Sequence, residues 1–217
     1  MTDDVKGTRR YVSPRRRAQA AETRSQILRA AQERFEHQGY AATTMASIAV
    51  EAGVALKTVY VAFETKSGLL RALWHLLLRG DEEDLNVGER QWYREVLEEP
   101  DPERQLRLAA ANSRIVKERA GALLGVIRSA AQIDAEISQL WGRIQADFYD
   151  NQRAIVESLH AKKALRPDLD ANRATDILWT LNHPDVWLLL AGDRGWAPAE
   201  WEQWFGDTVC AQLLRPS

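Results

Sequence analysis

Apolar residues in this chain recur at spacings of three and four and almost never alternate, so the pattern predicts helix nearly throughout. A first helix is expected from about Glu22 to Gln38, with Ile27, Leu28, Ala31 and Phe35 on one side. Gly39 closes it, and Tyr40 is placed to pack back on its last turn. Residues 44–66, TMASIAVEAGVALKTVYVAFETK, then read as two short helices around a tight turn. Thr44 is a side-chain cap for the first of these, whose apolar positions are Met45, Ile48, Ala49 and Ala52. Gly53 falls where a left-handed residue is needed. In the second, Leu56, Val59 and Phe63 form the inward face, leaving Lys57, Thr58, Val61 and Ala62 outward. This is a helix-turn-helix, with Lys57 and its neighbours on the face open to a partner.

Thr65 caps a fourth helix from Lys66 to Leu78, striped by Leu69, Leu70, Leu73, Leu76 and Leu77. Residues 79–99 are less regular, and Gly80 and Gly88 suggest a break. Further helices are expected from Pro100–Pro102 to about Lys117, from Ala120 to Ile133, and from Asp134 to Ala161. The stripe of the first of these is Leu106, Ala109, Ala110, Ser113 and Val116. After a turn at Pro167, an apolar helix runs from Asp170 to near Ala191, with Pro184 removing a hydrogen bond inside it and kinking it. The last, about Ala199 to Leu214, carries Trp201, Trp204, Phe205, Thr208, Val209, Gln212 and Leu213 on one broad face. The expectation is an all-α protein of about nine helices. Residues 1–20 form a disordered basic arm, 21–66 a helix-turn-helix DNA-binding domain, and 67–217 a larger ligand-binding and dimerisation domain. The last two predicted helices are apolar over more than one face, which pairing with a second copy would explain; burial within one subunit is the other reading.

Charge sharpens this division. The 217 residues carry a net charge of −2, but residues 1–78 hold 12 Lys/Arg against 7 Asp/Glu, whereas the remainder hold 17 against 24. A basic N-terminal part on an acidic body points to a polyanion met at one end only. The basic arm, with Lys6, Arg9, Arg10 and Arg15 to Arg17, would follow phosphates or enter a minor groove, or serve only as a solubilising tail. The single cysteine, Cys210, excludes an internal disulfide and fits a reducing cytoplasm. No apolar run of membrane-spanning length and no signal peptide is read, so a cytoplasmic protein without a membrane partner is expected. The histidines, His37, His75, His160 and His183, lack metal-ligand spacing, and no phosphate-cradling glycine loop or nucleophile elbow occurs. An enzyme, a metal and a cofactor are therefore not expected.

The run ILRAAQERFEHQGYAATTMASIAVEAGVALKTVYVAFETKSGLLRAL resembles the N-terminal domain of the TetR/AcrR family of bacterial transcriptional regulators. The likeness extends over residues 22–75 and includes F-x-x-x-G-Y, I-A-x-x-A-G-V and T-V-Y-x-x-F at their family spacings. The run HPDVWLLLAGDRGWAPAEWEQWFGDTV likewise looks like the final two helices of one subgroup. The resemblance implies a homodimer, a palindromic double-stranded operator, and release by a small molecule. Two positions depart from the family. Ala55 stands where a serine cap is common, and Val61 and Ala62 take outward positions that are often polar or aromatic.

Lys57 and Thr58 are the candidates for reading bases, and Val61 can lie against thymine methyl groups. Tyr60 matches the family tyrosine that contacts a phosphate. Thr43, Thr44 and Lys66 are expected at phosphates, Thr44 also as a helix cap. For an apolar or aromatic effector, Trp141, Phe148, Trp179 and Trp187 are candidate walls, and Asn112, Arg128, Asn182 and His183 candidate polar anchors; ordinary core is the competing role for each. The leading reading is a ligand-responsive repressor. The alternative is a helical small-molecule binding protein with a vestigial DNA-binding domain.

Overall fold

The helical expectation holds across the described residues, 14–79 and 87–216 of the computed structural model. These form α1 (Pro14–Ala42), α2 (Met45–Glu51), α3 (Leu56–Phe63), α4 (Lys66–Arg79), α5 (Gln91–Glu98), α6 (Pro102–Ala130), α7 (Ala135–Ala161), α8 (Ala171–Leu181), α9 (Pro184–Trp187) and α10 (Pro198–Leu213). A 3-10 turn precedes α5, and a π-helical stretch, Leu188–Asp193, follows the single turn of α9. Most of the basic arm lies outside the described residues, as does Gly80. Residues 14–20 are helix, not coil, because α1 begins at Pro14, and residues 15–20 are exposed.

Two apolar cores organise these helices. The first is built on Ile27, Phe35, Ile48, Val59, Leu69, Leu70 and Leu73 and continues into Leu123, Ile127, Ile137 and Leu140 of α6 and α7. Helices α1 to α4 therefore do not close a core alone; they share one with the near ends of the two long helices. The second core gathers Leu106, Ile155, Val156, Leu159, Leu178, Trp187, Trp201, Phe205, Val209 and Leu213. Four of the seven residues on the predicted broad face of the last helix, Trp201, Phe205, Val209 and Leu213, are thus buried in their own subunit. What faces outward between α8 and α10 is a shallow groove of mixed character, with Ile177, Leu181, Thr180, Thr208 and Gln212.

Three further expectations change. Residues 102–130 make one helix, since Lys117 to Ala120 keep helical hydrogen bonding and Gly121 sits against the indole of Trp187. Asp101 caps that helix by accepting from the Arg104 amide at 2.7 Å. Helix α5 was not predicted. Pro184 ends a helix instead of kinking it: His183 is pushed to extended backbone (ψ 141°), and α9 restarts with Pro184 as its first residue. The Thr180 carbonyl is not freed, because the amide of His183 donates to it. Among the described residues, no single helix is long and apolar enough to cross a membrane.

Candidate nucleic-acid interface and effector cavity

Local chemistry fixes the helix-turn-helix. The Thr44 hydroxyl accepts from the Ser47 amide at 3.0 Å while Ser47 Oγ accepts from the Thr44 amide at 3.1 Å, a reciprocal cap on α2. Gly53 adopts φ 64°, and the following Val54 amide returns to the Ala49 carbonyl. The pair bends by 113° between α2 and α3. Ala55 gives α3 no side-chain cap, as expected from its residue type. Val59 and Phe63 are buried, and the Arg24 guanidinium lies 4.3 Å over the Phe63 ring while donating to the Ala62 carbonyl. Leu56, expected inward, is 41 % exposed because it opens the helix beyond the edge of the core.

The outward side presents Lys57, Tyr60 and Val61, the last 76 % exposed, with Thr58 half-buried beside them and Thr44 exposed at the start of α2. The Thr44 hydroxyl keeps its own hydrogen for an outside acceptor. Two of the phosphate candidates are placed otherwise. Thr43 is fully buried and its hydroxyl bonds to the Gly39 carbonyl at 2.8 Å, within reach of Arg34 O at 3.2 Å. Lys66 Nζ donates to Tyr40 O at 2.8 Å and Thr43 O at 3.0 Å and lies 4.1 Å over the Tyr40 ring. Burial lowers its pKa, with Asp134 opposing. Both side chains therefore close the end of α1, whose last carbonyls lack helical partners; the Thr43 hydroxyl has no donor left, and Lys66 has committed two of its three N–H groups.

Behind this unit lies a cavity of about 330 Å³ among α4 to α7 and the α8–α9 break. Trp74, Trp92, Val96, Ile144, Phe148 and Ile155 supply its apolar wall. Of the predicted effector residues, Asn112, Phe148 and Asn182 line it, as does Pro184. The other five do not. Trp187 is core, edge-on to Trp201 at 5.2 Å. Trp141 packs half-buried on the first core. Trp179 stands edge-on to His183 at 4.9 Å, His183 caps α9 by accepting from the Asp185 amide, and Arg128 pairs with Asp185.

The residue that the sequence reading missed is Lys117. It is 6 % exposed, lines the cavity and donates to Asn182 Oδ1 at 2.6 Å. Burial pushes its pKa down to about 7. Asn182 in turn donates to Ser113 Oγ and Gln152 Oε1, so its amide is fully engaged. Extending the i, i+4 series from Ala109 through Ser113 would have put Lys117 on the apolar face, where a lysine needs a reason.

The helix-turn-helix unit meets the start of α7 at a polar seam. Tyr40 Oη donates to Asp134 Oδ2 at 2.6 Å and Ser67 Oγ to Glu136 Oε2 at 2.5 Å. Asp134 also caps α7, accepting from the Glu136 and Ile137 amides. Burial works against its charge, but the Tyr40 and amide donors outweigh it and hold its pKa low. Arg119 of α6 adds hydrogen bonds to the Leu77 and Leu78 carbonyls at the end of α4.

Comparison with known proteins places this geometry. Residues 27–73 match the family model described as bacterial regulatory proteins, tetR family. The transcriptional regulator AcrR of Shigella flexneri is 27 % identical over 166 residues, 74 % of either chain. TtgR of Pseudomonas putida is 27 % identical over 184 residues, 81 % of this chain and 85 % of its own. The crystal structure of NalD, a secondary repressor of the MexAB-OprM multidrug efflux pump in Pseudomonas aeruginosa, superposes with TM-score 0.68 at 21 % identity, covering 92 % of this chain and all of that one. SmeT in complex with triclosan gives TM-score 0.70 at 19 % identity, over 90 % and 93 % of the two chains.

Proposed function

We propose that this chain, a member of the TetR/AcrR family of transcriptional regulators, is a ligand-responsive repressor that binds a palindromic operator as a homodimer and releases it when a small molecule fills the cavity. The observation that carries this reading is an intact helix-turn-helix, capped at Thr44 and turned at Gly53, whose outward face is free of internal partners. Lys57 and Thr58 meet base edges, Val61 a thymine methyl, and Thr44 and Tyr60 the phosphates. The DNA-binding unit is residues 21–66, and residues 67–217 are the body that senses the effector and carries the dimer contact. Helix α4 serves both, through the shared core.

The dimer forms across the groove between α8 and α10, a two-fold pairing that sets two copies of α3 about one helical turn of DNA apart or a small multiple of it. NalD is a repressor and SmeT accommodates triclosan, and both support the same assignment here. The effector is an apolar or aromatic small molecule, in keeping with the walls of the cavity. Release follows if the occupied cavity favours a different spacing of the two reading heads. Footprinting on the DNA upstream of the protein's own gene tests this. Two protected half-sites related by a dyad are expected; uniform or absent protection would refute it.

A further inference from the structure

The cavity contains two hydrogen-bond donors that the protein leaves under-used. Lys117 on α6 carries three N–H groups but has a single acceptor, Asn182 Oδ1. Two ring faces lie beside it, Trp201 at 4.9 Å and Phe148 at 5.9 Å. Burial alone shifts its titration, with no carboxylate contributing. A buried ammonium without a counter-ion is costly, and the usual remedy is an anion. Gln145, on α7 across the cavity, spends its Oε1 on His183 Nε2 and leaves a buried Nε2 with no partner. Asp147 and Asp150 also line the cavity, but at exposed positions where water screens them.

Resting on the reading of this cavity as the effector site, we infer that its ligand is an organic acid with an aromatic body, whose anionic oxygens are held by Lys117 and Gln145. The ring faces and aliphatic walls take the body. Such a ligand supplies the missing counter-ion and the missing acceptor together, which a neutral or cationic compound of the same shape does not.

The test compares 2-naphthoate, 2-naphthamide and 2-naphthylmethylammonium by calorimetry on the full chain, without DNA, at pH 7. The acid should bind at least about tenfold more tightly than the amide, the size of one charge-assisted hydrogen bond. In Lys117→Met that preference should vanish while amide binding persists. Equal affinities in the wild type, failure of the acid to bind, or a preference surviving in Lys117→Met would overturn the inference. Should that variant not fold, the wild type answers alone. Naphthoate affinity should fall about tenfold per pH unit above pH 7, as Lys117 loses its proton, and naphthamide affinity should stay level. The other groups around the site do not produce this fall. Tyr93 is pushed up to about 12 by burial, and His183 lies below its ordinary value with burial the main cause; the other charged groups facing the site are Asp147, Asp150 and the Arg128–Asp185 pair. A flat naphthoate profile would overturn it. Because DNA is absent, a missing acid preference leaves the repressor reading intact, and a missing footprint leaves the acid site intact.

Discussion

Lys57 and Lys66 stand nine positions apart with the same side chain, and the fold gives them opposite work. Lys57 is exposed on the outer side of α3, whereas Lys66 is turned inward to two carbonyls and a tyrosine ring. Lys57→Ala should relax base preference at one operator position by about 1–3 kcal/mol, measured by binding to a set of single-base operator variants. Lys66→Ala should leave the salt dependence of DNA binding unchanged and lower unfolding stability by about 1–3 kcal/mol, since it orphans the Tyr40 and Thr43 carbonyls. Chemical denaturation separates the two outcomes. Residue types in the motif were thus legible, but which lysine turns inward was not. That depends on where α1 ends in space, over 20 residues earlier in the chain.

Lys117 makes the same point about burial. Its pKa in the folded chain lies near 7, below the ordinary lysine value of 10.5, so the unfolded chain binds more protons between those two values. Stability should therefore rise as pH increases from about 7 towards 10.5, the folded state being penalised below that window. Lys117→Met should raise Tm at pH 7, by ~2–4 °C for each kcal/mol recovered, and the gain should shrink by pH 10. A gain that does not depend on pH would mean the lysine is not charged in the unfolded-versus-folded balance as described.

Among the elements, α2 and α3 were the most legible, because caps and turns are local chemistry. Thr44, Gly53 and Gly39 carry their structural roles in their residue types, and the last two take positive φ as expected. Of the long helices, α7 was legible from its cap at Asp134 to its end at Ala161, and α6 was not. Nothing local distinguishes one 29-residue helix from two shorter ones at Lys117–Ala120; packing of Gly121 against Trp187 makes the difference. The contact between α3 and α4 has a similar hidden requirement. A Cβ on Gly68 would sit 2.5 Å from the Phe63 carbonyl oxygen, a backbone atom that cannot swing aside. Gly68→Ala, ordinarily favourable in a helix, should here cost roughly 1–3 kcal/mol through overpacking and displace the reading helix. Thermal unfolding and operator affinity should both fall; an unchanged Tm would show that α4 shifts freely.

At the scale of the whole molecule, the positive surplus of the sequence lies mainly in residues 1–20, ahead of the proposed reading unit, and the negative surplus in residues 79–217. The connection between that unit and the body was not legible, since Tyr40 and Asp134 lie 94 residues apart and join only in the fold. Tyr40→Phe removes that hydrogen bond while keeping the ring that stacks on Phe35 and underlies Lys66. Operator affinity without effector should change by less than about threefold, whereas the effector-induced loss of affinity should shrink, each read by anisotropy of labelled operator. An undiminished response would move the route of coupling to the Ser67–Glu136 and Arg119 contacts.

The claim on which the rest depends is that α3 reads sequence. The direct measurement is a mobility-shift titration of the full chain on DNA from upstream of its own gene and on random DNA of equal length, over a salt series. Binding to the upstream DNA should be tighter by at least about a thousandfold at physiological salt, with a residual preference as both affinities fall with added salt. Equal affinity for the two DNAs at every salt concentration would contradict it.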